Sequence, residues 1–87
     1  MNFVNVGFGN LVSAERIVSV ASPDAAPIKR LAQEAKEEGR AIDVTAGRRC
    51  RSVIICDSTH VILCALTVEE LALRLEGKKV GSEDDDL

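Results

Sequence analysis

The chain has very few aromatic residues: its 87 residues include two phenylalanines and neither tryptophan nor tyrosine. Proteins that hold single-stranded nucleic acids commonly stack the bases on aromatic rings. This composition therefore argues against a single-stranded RNA or DNA ligand. Duplex DNA that is recognised through its backbone and shape requires basic side chains instead of rings, so the composition leaves that ligand open.

Cysteines and long apolar segments are also scarce. The chain has three cysteines, Cys50, Cys56 and Cys64. An odd number of cysteines without a CxxC spacing fits neither a disulfide framework nor a structural zinc site. No run of roughly eighteen apolar residues is present, and the N-terminus has neither the basic start nor the apolar stretch of a signal peptide. We therefore expect a cytoplasmic protein with reduced thiols, no bound metal and no membrane partner.

The length of the chain suffices for one domain, and a hydrophobic fraction of 46% predicts a folded body. The last segment, KKVGSEDDDL, differs in composition because it carries two lysines and four acids. We therefore predict a single domain over residues 1–77 and an acidic, disordered tail over residues 78–87.

The pattern of apolar residues predicts a small α+β domain with a mainly antiparallel sheet. Strands are predicted at residues 3–6, 16–21, 41–45, 52–56 and 61–66, with a long helix over residues 25–38 and a short C-terminal helix. Ser22 and Asp24 are the N-cap candidates of the long helix, while Thr67 and Glu70 have the spacing of a capping box. The strands at 52–56 and 61–66 are predicted to form a hairpin with a four-residue connection.

These two strands are apolar at nearly every position, which predicts that both faces of the sheet are covered. One long and one short helix offer too little chain to cover both faces. We therefore expect another copy to bury the second face, in a homo-oligomer that assembles through sheet-based interfaces. A compact monomer whose sheet curls on itself is the alternative.

A dense basic segment, AGRRCRS at residues 46–52, is unusual in a chain whose net charge is −3. The planar guanidinium group matches phosphate oxygens. On an extended segment Arg49 and Arg51 would point to the same side, with Arg48 at a turn made by Gly47. The segment predicts an anion-binding site, and a solvated, charged strand edge is the alternative.

Two further motifs have structural interpretations. GFGN at residues 7–10 contains GxG but lacks the third glycine of a dinucleotide-binding motif, so it predicts a turn. His60 stands between Cys56 and Cys64 in the sequence, yet the predicted hairpin assembles no base and nucleophile from them. We therefore expect no enzyme, and no cofactor or small-molecule site is evident.

Four segments of the chain together resemble the RemA family of bacterial extracellular-matrix regulatory proteins. They are NVGFGN, RIVSVASPDAAPIKRLAQEAKEEG, IDVTAGRRCRSVIICDSTHVIL and LALRL. The resemblance implies a cytoplasmic DNA-binding transcription regulator that forms a ring-like homo-oligomer and bends or wraps promoter DNA, including that of biofilm-matrix genes. It also implies DNA contacts by Arg16, Arg48 and Arg49, with Arg51 at a further basic position. An oligomeric scaffold or adaptor that binds an acidic protein would use the same arginines and is the alternative function.

Overall fold

The computed structural model describes residues 2–77, so the predicted acidic tail at residues 78–87 lies outside the described residues. The strands and helices follow in the order β1 (Phe3–Gly7), β2 (Asn10–Ser13), β3 (Ile17–Ala21), α1 (Ala26–Glu37), β4 (Ala41–Asp43), β5 (Ser52–Cys56), β6 (Val61–Cys64) and α2 (Val68–Leu75). A short 3-10 turn, Ala14–Arg16, joins β2 to β3. Neither helix of residues 2–77 is long and apolar enough to cross a membrane.

Four strands form a central sheet in the order β3-β5-β6-β4. The strand β5 is antiparallel to both of its neighbours, whereas β4 is parallel to β6. The predicted hairpin of β5 and β6 is confirmed, and the backbone N–H of Cys56 donates to the carbonyl of His60 across its connection at 3.0 Å. The α+β class and the mainly antiparallel sheet are therefore confirmed.

The first two strands form a hairpin of their own, separate from the central sheet. The sequence prediction misses β2 because its four residues are too few to show a clear alternation of apolar and polar side chains. The predicted turn at GFGN is the connection of this hairpin, and Gly7, Phe8 and Gly9 all have positive φ angles there.

Both faces of the central sheet are covered within one chain. Against α1, the buried cluster consists of Ala35, Val53, Val61 and Leu63. On the opposite face, under the β1-β2 hairpin and α2, the buried cluster consists of Val4, Val6, Val44, Ile54, Cys56, Ile62, Cys64 and Leu71. The expectation that this chain leaves one face open for another copy is therefore wrong, because the hairpin supplies the missing cover. A homo-oligomer requires a different surface.

The start of α1 also differs from the prediction. Its N-cap is Ala25, and no side chain caps the free N–H groups, so the prediction that Ser22 or Asp24 is the cap is wrong. The Ser22 hydroxyl instead accepts a hydrogen bond from the backbone N–H of Asp24 at 3.2 Å. Pro27 lies in the first turn, where its missing N–H would have no helical partner.

The short helix α2 begins as predicted. The Thr67 hydroxyl accepts from the backbone N–H of Glu70 at 3.1 Å, and the Glu70 carboxylate accepts from the backbone N–H of Thr67 at 2.8 Å. Near its other end, Arg74 donates to the carbonyl of Asn5 at 2.9 Å. The Arg74 bond attaches α2 to the β1-β2 hairpin.

Candidate nucleic-acid interface

The basic segment forms a turn followed by a short loop, which we call the arginine loop (residues 46–51). Ala46 and Gly47 have φ angles of 56° and 81°, and the backbone N–H of Arg48 donates to the carbonyl of Thr45 at 3.1 Å. Positive φ angles at the two residues that such a hydrogen bond encloses define a type I′ turn, in which glycine is favoured at the second of them. At the other end, the N–H of Arg51 donates to the carbonyl of Cys64 at 2.8 Å. The loop is therefore attached to the sheet at both ends.

An aspartate fixes the entry to the arginine loop. The carboxylate of Asp43 accepts hydrogen bonds from the Thr45 hydroxyl at 2.6 Å and from the Thr45 backbone N–H at 2.8 Å. These bonds, with a smaller contribution from the charge of Lys36, hold the pKa of Asp43 below its ordinary value. Neither Asp43 nor Thr45 was predicted as a site residue, although Asp followed two positions later by Thr is a common pattern of side-chain-to-backbone turns.

Replacement of Asp43 by alanine is expected to lower the free energy of unfolding by about 1 kcal/mol at pH 7, because the Thr45 donors lose their charged acceptor. A lowered pKa in the folded state means that this contribution is complete above the unfolded pKa of 3.8 and disappears as the pH falls through the folded value. Urea unfolding at pH 7, 5 and 3 measures the difference between wild type and Asp43→Ala.

Asp43→Asn is the matched control, because its amide oxygen still accepts from Thr45 but does not titrate. It should lose less stability than Asp43→Ala at pH 7. An Asp43→Ala deficit that is the same at pH 3 as at pH 7 would contradict the role given to the ionised carboxylate.

Arg48, Arg49 and Arg51 are all exposed and share one open cavity of about 680 Å³. Its remaining lining is Phe8, Ala65, Leu66, Thr67 and Glu70. Arg49 and Arg51 also line a neighbouring cavity of about 390 Å³, with Asp24 and Glu69 in its wall. Within residues 2–77, no carboxylate forms an ion pair with any of the three guanidinium groups. No ion pair of the described residues therefore neutralises these three charges.

The turn of the β1-β2 hairpin lies beside the arginine loop. The guanidinium carbon of Arg48 is 5.2 Å from the centre of the Phe8 ring, a cation–π distance. The GFGN segment predicts Phe8 only as part of a turn. A phenylalanine between two glycines, in a chain with two aromatic residues, is the sequence signal that singles it out.

Arg16 is not close to the other three arginines within one chain. Its guanidinium lies 3.5 Å from the Asp57 carboxylate, and its carbonyl accepts from the Asp57 backbone N–H at 2.8 Å. Asp57 follows β5, whereas Arg51 precedes it. At the rise per residue of a β-strand, the backbones of these two residues are about 20 Å apart, at opposite ends of the sheet. Because both partners of the Arg16 ion pair are largely exposed, the pair contributes little to stability and leaves Arg16 accessible.

Within residues 2–77, His60 forms no hydrogen bond with a cysteine. His60 is exposed, with its Nδ1 atom 2.9 Å from the Ser58 hydroxyl. Burial raises the pKa of the Cys56 thiol, and the buried Cys64 thiol donates to the carbonyl of Val6 at 3.3 Å. Among residues 2–77, no three His, Cys, Asp or Glu side chains converge on a metal site. The cysteines that these residues include are free thiols.

Comparisons with known proteins support the resemblance seen in the sequence. Residues 3–75 match the family model described as RemA-like, extracellular matrix regulatory protein A-like. The chain is 54% identical over 86 residues to a protein of Desulfitobacterium hafniense (strain Y51), covering 99% of this chain and 94% of that one. It is also 54% identical over 84 residues to a protein of Geobacillus thermodenitrificans (strain NG80-2), covering 97% of each. The names of both relatives describe them, provisionally, as regulatory proteins. With the match spanning both helices and every strand described above, the chain belongs to the RemA-like family of regulatory proteins.

Proposed function

We propose that this protein is a DNA-binding transcription regulator that contacts the phosphates of duplex DNA through Arg48, Arg49 and Arg51, with Arg16 as a further contact. The observation that carries the proposal is the arginine loop, in which three exposed guanidinium groups share one cavity without an ion-pair partner among residues 2–77. The type I′ turn and the Asp43 bonds hold this loop in place before any ligand arrives, which lowers the entropy lost on binding.

Duplex DNA fits this surface better than a single strand does. Bases of a single strand would require exposed aromatic faces, and the one aromatic ring at the arginine loop, Phe8, has Arg48 placed over it. Arginines that project from a fixed loop are suited to the phosphates and grooves of a duplex. The surface therefore favours recognition through the DNA backbone and shape.

We propose further that the protein acts as a ring-like homo-oligomer. One loop with three arginines binds DNA weakly, but repeated loops on one assembly raise the affinity through effective concentration. A groove between β3 and α2 could receive another copy, since Val18 is 68% exposed there and Leu75 is 37% exposed. This groove lies along the edge strand β3, at the margin of the sheet face that the hairpin and α2 cover.

The separation of Arg16 from the arginine loop is compatible with DNA that follows the surface of such an assembly. At about 20 Å, the two sites would touch phosphates several base pairs apart. Contacts of this kind, repeated around a ring-like assembly, would bend or wrap the promoter. As the family resemblance implies, the proposed targets are promoters of biofilm-matrix genes.

Fluorescence anisotropy of a labelled, promoter-length duplex, titrated with protein at several salt concentrations, tests the proposal. In a plot of the logarithm of affinity against the logarithm of salt concentration, each phosphate contacted should contribute a slope of about −1. A single arginine loop should therefore give a slope of about −3. A single strand of the same length should bind more weakly. If the duplex does not bind even at low salt, the arginines serve an acidic protein partner instead, as in a scaffold or adaptor.

A further inference from the structure

The two-residue turn of the β1-β2 hairpin places a positive φ angle on an aromatic residue and leaves that residue half exposed. Phe8 has a φ angle of 55°, in the left-handed region that costs free energy for a bulky side chain. Its side chain is 51% exposed, so it gains little from burial in return. Strained backbone of this kind is found preferentially where a side chain serves a function.

Local hydrogen bonds hold Phe8 in this conformation. The side chain of Asn5 accepts from the backbone N–H of Gly7 at 2.7 Å. The side-chain amide of Asn10 donates to the carbonyls of Gly7 at 3.0 Å and of Phe8 at 3.2 Å. These bonds close the turn from both sides, so the ring projects from a rigid base.

The ring lies under one of the proposed DNA-contacting groups. The guanidinium carbon of Arg48 is 5.2 Å from its centre, and Phe8, Arg48, Arg49 and Arg51 line the same open cavity. An arginine on a loop has many rotamers, and DNA binding would have to select one of them. Contact with a fixed aromatic face restricts the guanidinium plane without neutralising its charge.

We propose that Phe8 is a positioning residue for DNA binding: its ring holds the Arg48 guanidinium ready to contact a phosphate. This inference rests on the proposed function and assigns a role to a residue that sequence analysis interpreted only as part of a turn. Phe8 acts through Arg48 and supplies no charge of its own. Loss of the ring should therefore weaken DNA binding without changing how many phosphates are neutralised.

Two measurements test this role in the intact chain. In the free protein, the side-chain Nε–H resonance of Arg48 should carry a ring-current shift that disappears in Phe8→Leu and persists in Phe8→Tyr. In DNA titrations, Phe8→Leu should weaken binding by about fivefold, as expected for loss of one exposed cation–π contact. Phe8→Tyr should bind as the wild type does, and the slope of affinity against salt should be the same for all three proteins.

Phe3→Leu is the matched control, because Phe3 is the chain's other phenylalanine and is 56% exposed on the same hairpin. This variant should bind DNA as tightly as the wild type. In an Arg48→Ala background, Phe8→Leu should cause no further loss, since the group that it positions is absent. Thermal unfolding and light scattering of each variant exclude a change of fold or assembly as the cause.

Three outcomes would overturn the inference while leaving the proposed function intact. They are wild-type affinity in Phe8→Leu, an equal loss from Phe8→Leu in the Arg48→Ala background, and a Phe8→Tyr variant as weak as Phe8→Leu. A wild-type protein that binds no duplex would instead overturn the proposed function, and this inference with it.

Discussion

Combined replacement of Arg48 and Arg49 by alanine is expected to lower the affinity for duplex DNA by at least about 100-fold. Each charge-assisted bond to a phosphate contributes about 1.5–3 kcal/mol, and two are lost from every copy that touches the DNA. In an oligomer the loss repeats along the duplex, which increases the effect further. Anisotropy titrations at fixed salt measure the change.

The same variant should retain its fold and assembly. Both side chains are exposed, and neither forms an ion pair within residues 2–77, so the change in unfolding free energy should stay within about 0.5 kcal/mol. Arg30→Ala is a control for the loss of one positive charge, because Arg30 is exposed on α1 and lines neither cavity of the arginine loop. Light scattering that shows a smaller assembly in the double variant would make these arginines structural.

Replacement of Ile54 by alanine is expected to lower the free energy of unfolding by about 3 kcal/mol, more than any other substitution proposed for this protein. Ile54 has no exposed surface and lies in β5, between β3 and β6, where it belongs to the cluster under the β1-β2 hairpin and α2. Truncation removes the burial of its side chain and leaves a cavity that the sheet cannot readily close. For a domain of this size, such a loss is a large fraction of the total stability.

Ile42→Ala is the matched control for Ile54→Ala, because the same atoms are removed from a side chain that is 44% exposed on the edge strand β4. Its cost should be about 1 kcal/mol or less. Urea unfolding with circular dichroism compares the two variants. Similar costs for both would contradict the conclusion that the hairpin and α2 of the same chain seal this face of the sheet.

The burial of this face alters the argument for assembly. The sequence predicts a homo-oligomer from a shortage of covering elements, because β2 is too short to be recognised. With the hairpin in place, Ile54 and Ile62 are both buried within the single chain. The proposed oligomer now depends on residues at the surface, of which Val18 is the most exposed large apolar side chain among residues 2–77.

Several features of this protein were determined by local sequence patterns alone. The apolar runs in β5 and β6 predict a covered sheet, and Thr67 and Glu70 predict the start of α2. The arginine segment encodes a local positive charge, and the anion site inferred from it stays a prediction. Each of these depends on residues that are close in the sequence, where propensity, capping and charge spacing act directly.

Only the tertiary structure decided which of these local features meet. Phe8 lies beside Arg48 although forty positions separate them. Arg16 also carries a guanidinium group, but it lies at the opposite end of the sheet from the arginine loop. The strand order and the docking of the hairpin set both distances. They result from the packing of complementary apolar faces over the whole chain, which no short stretch of sequence encodes.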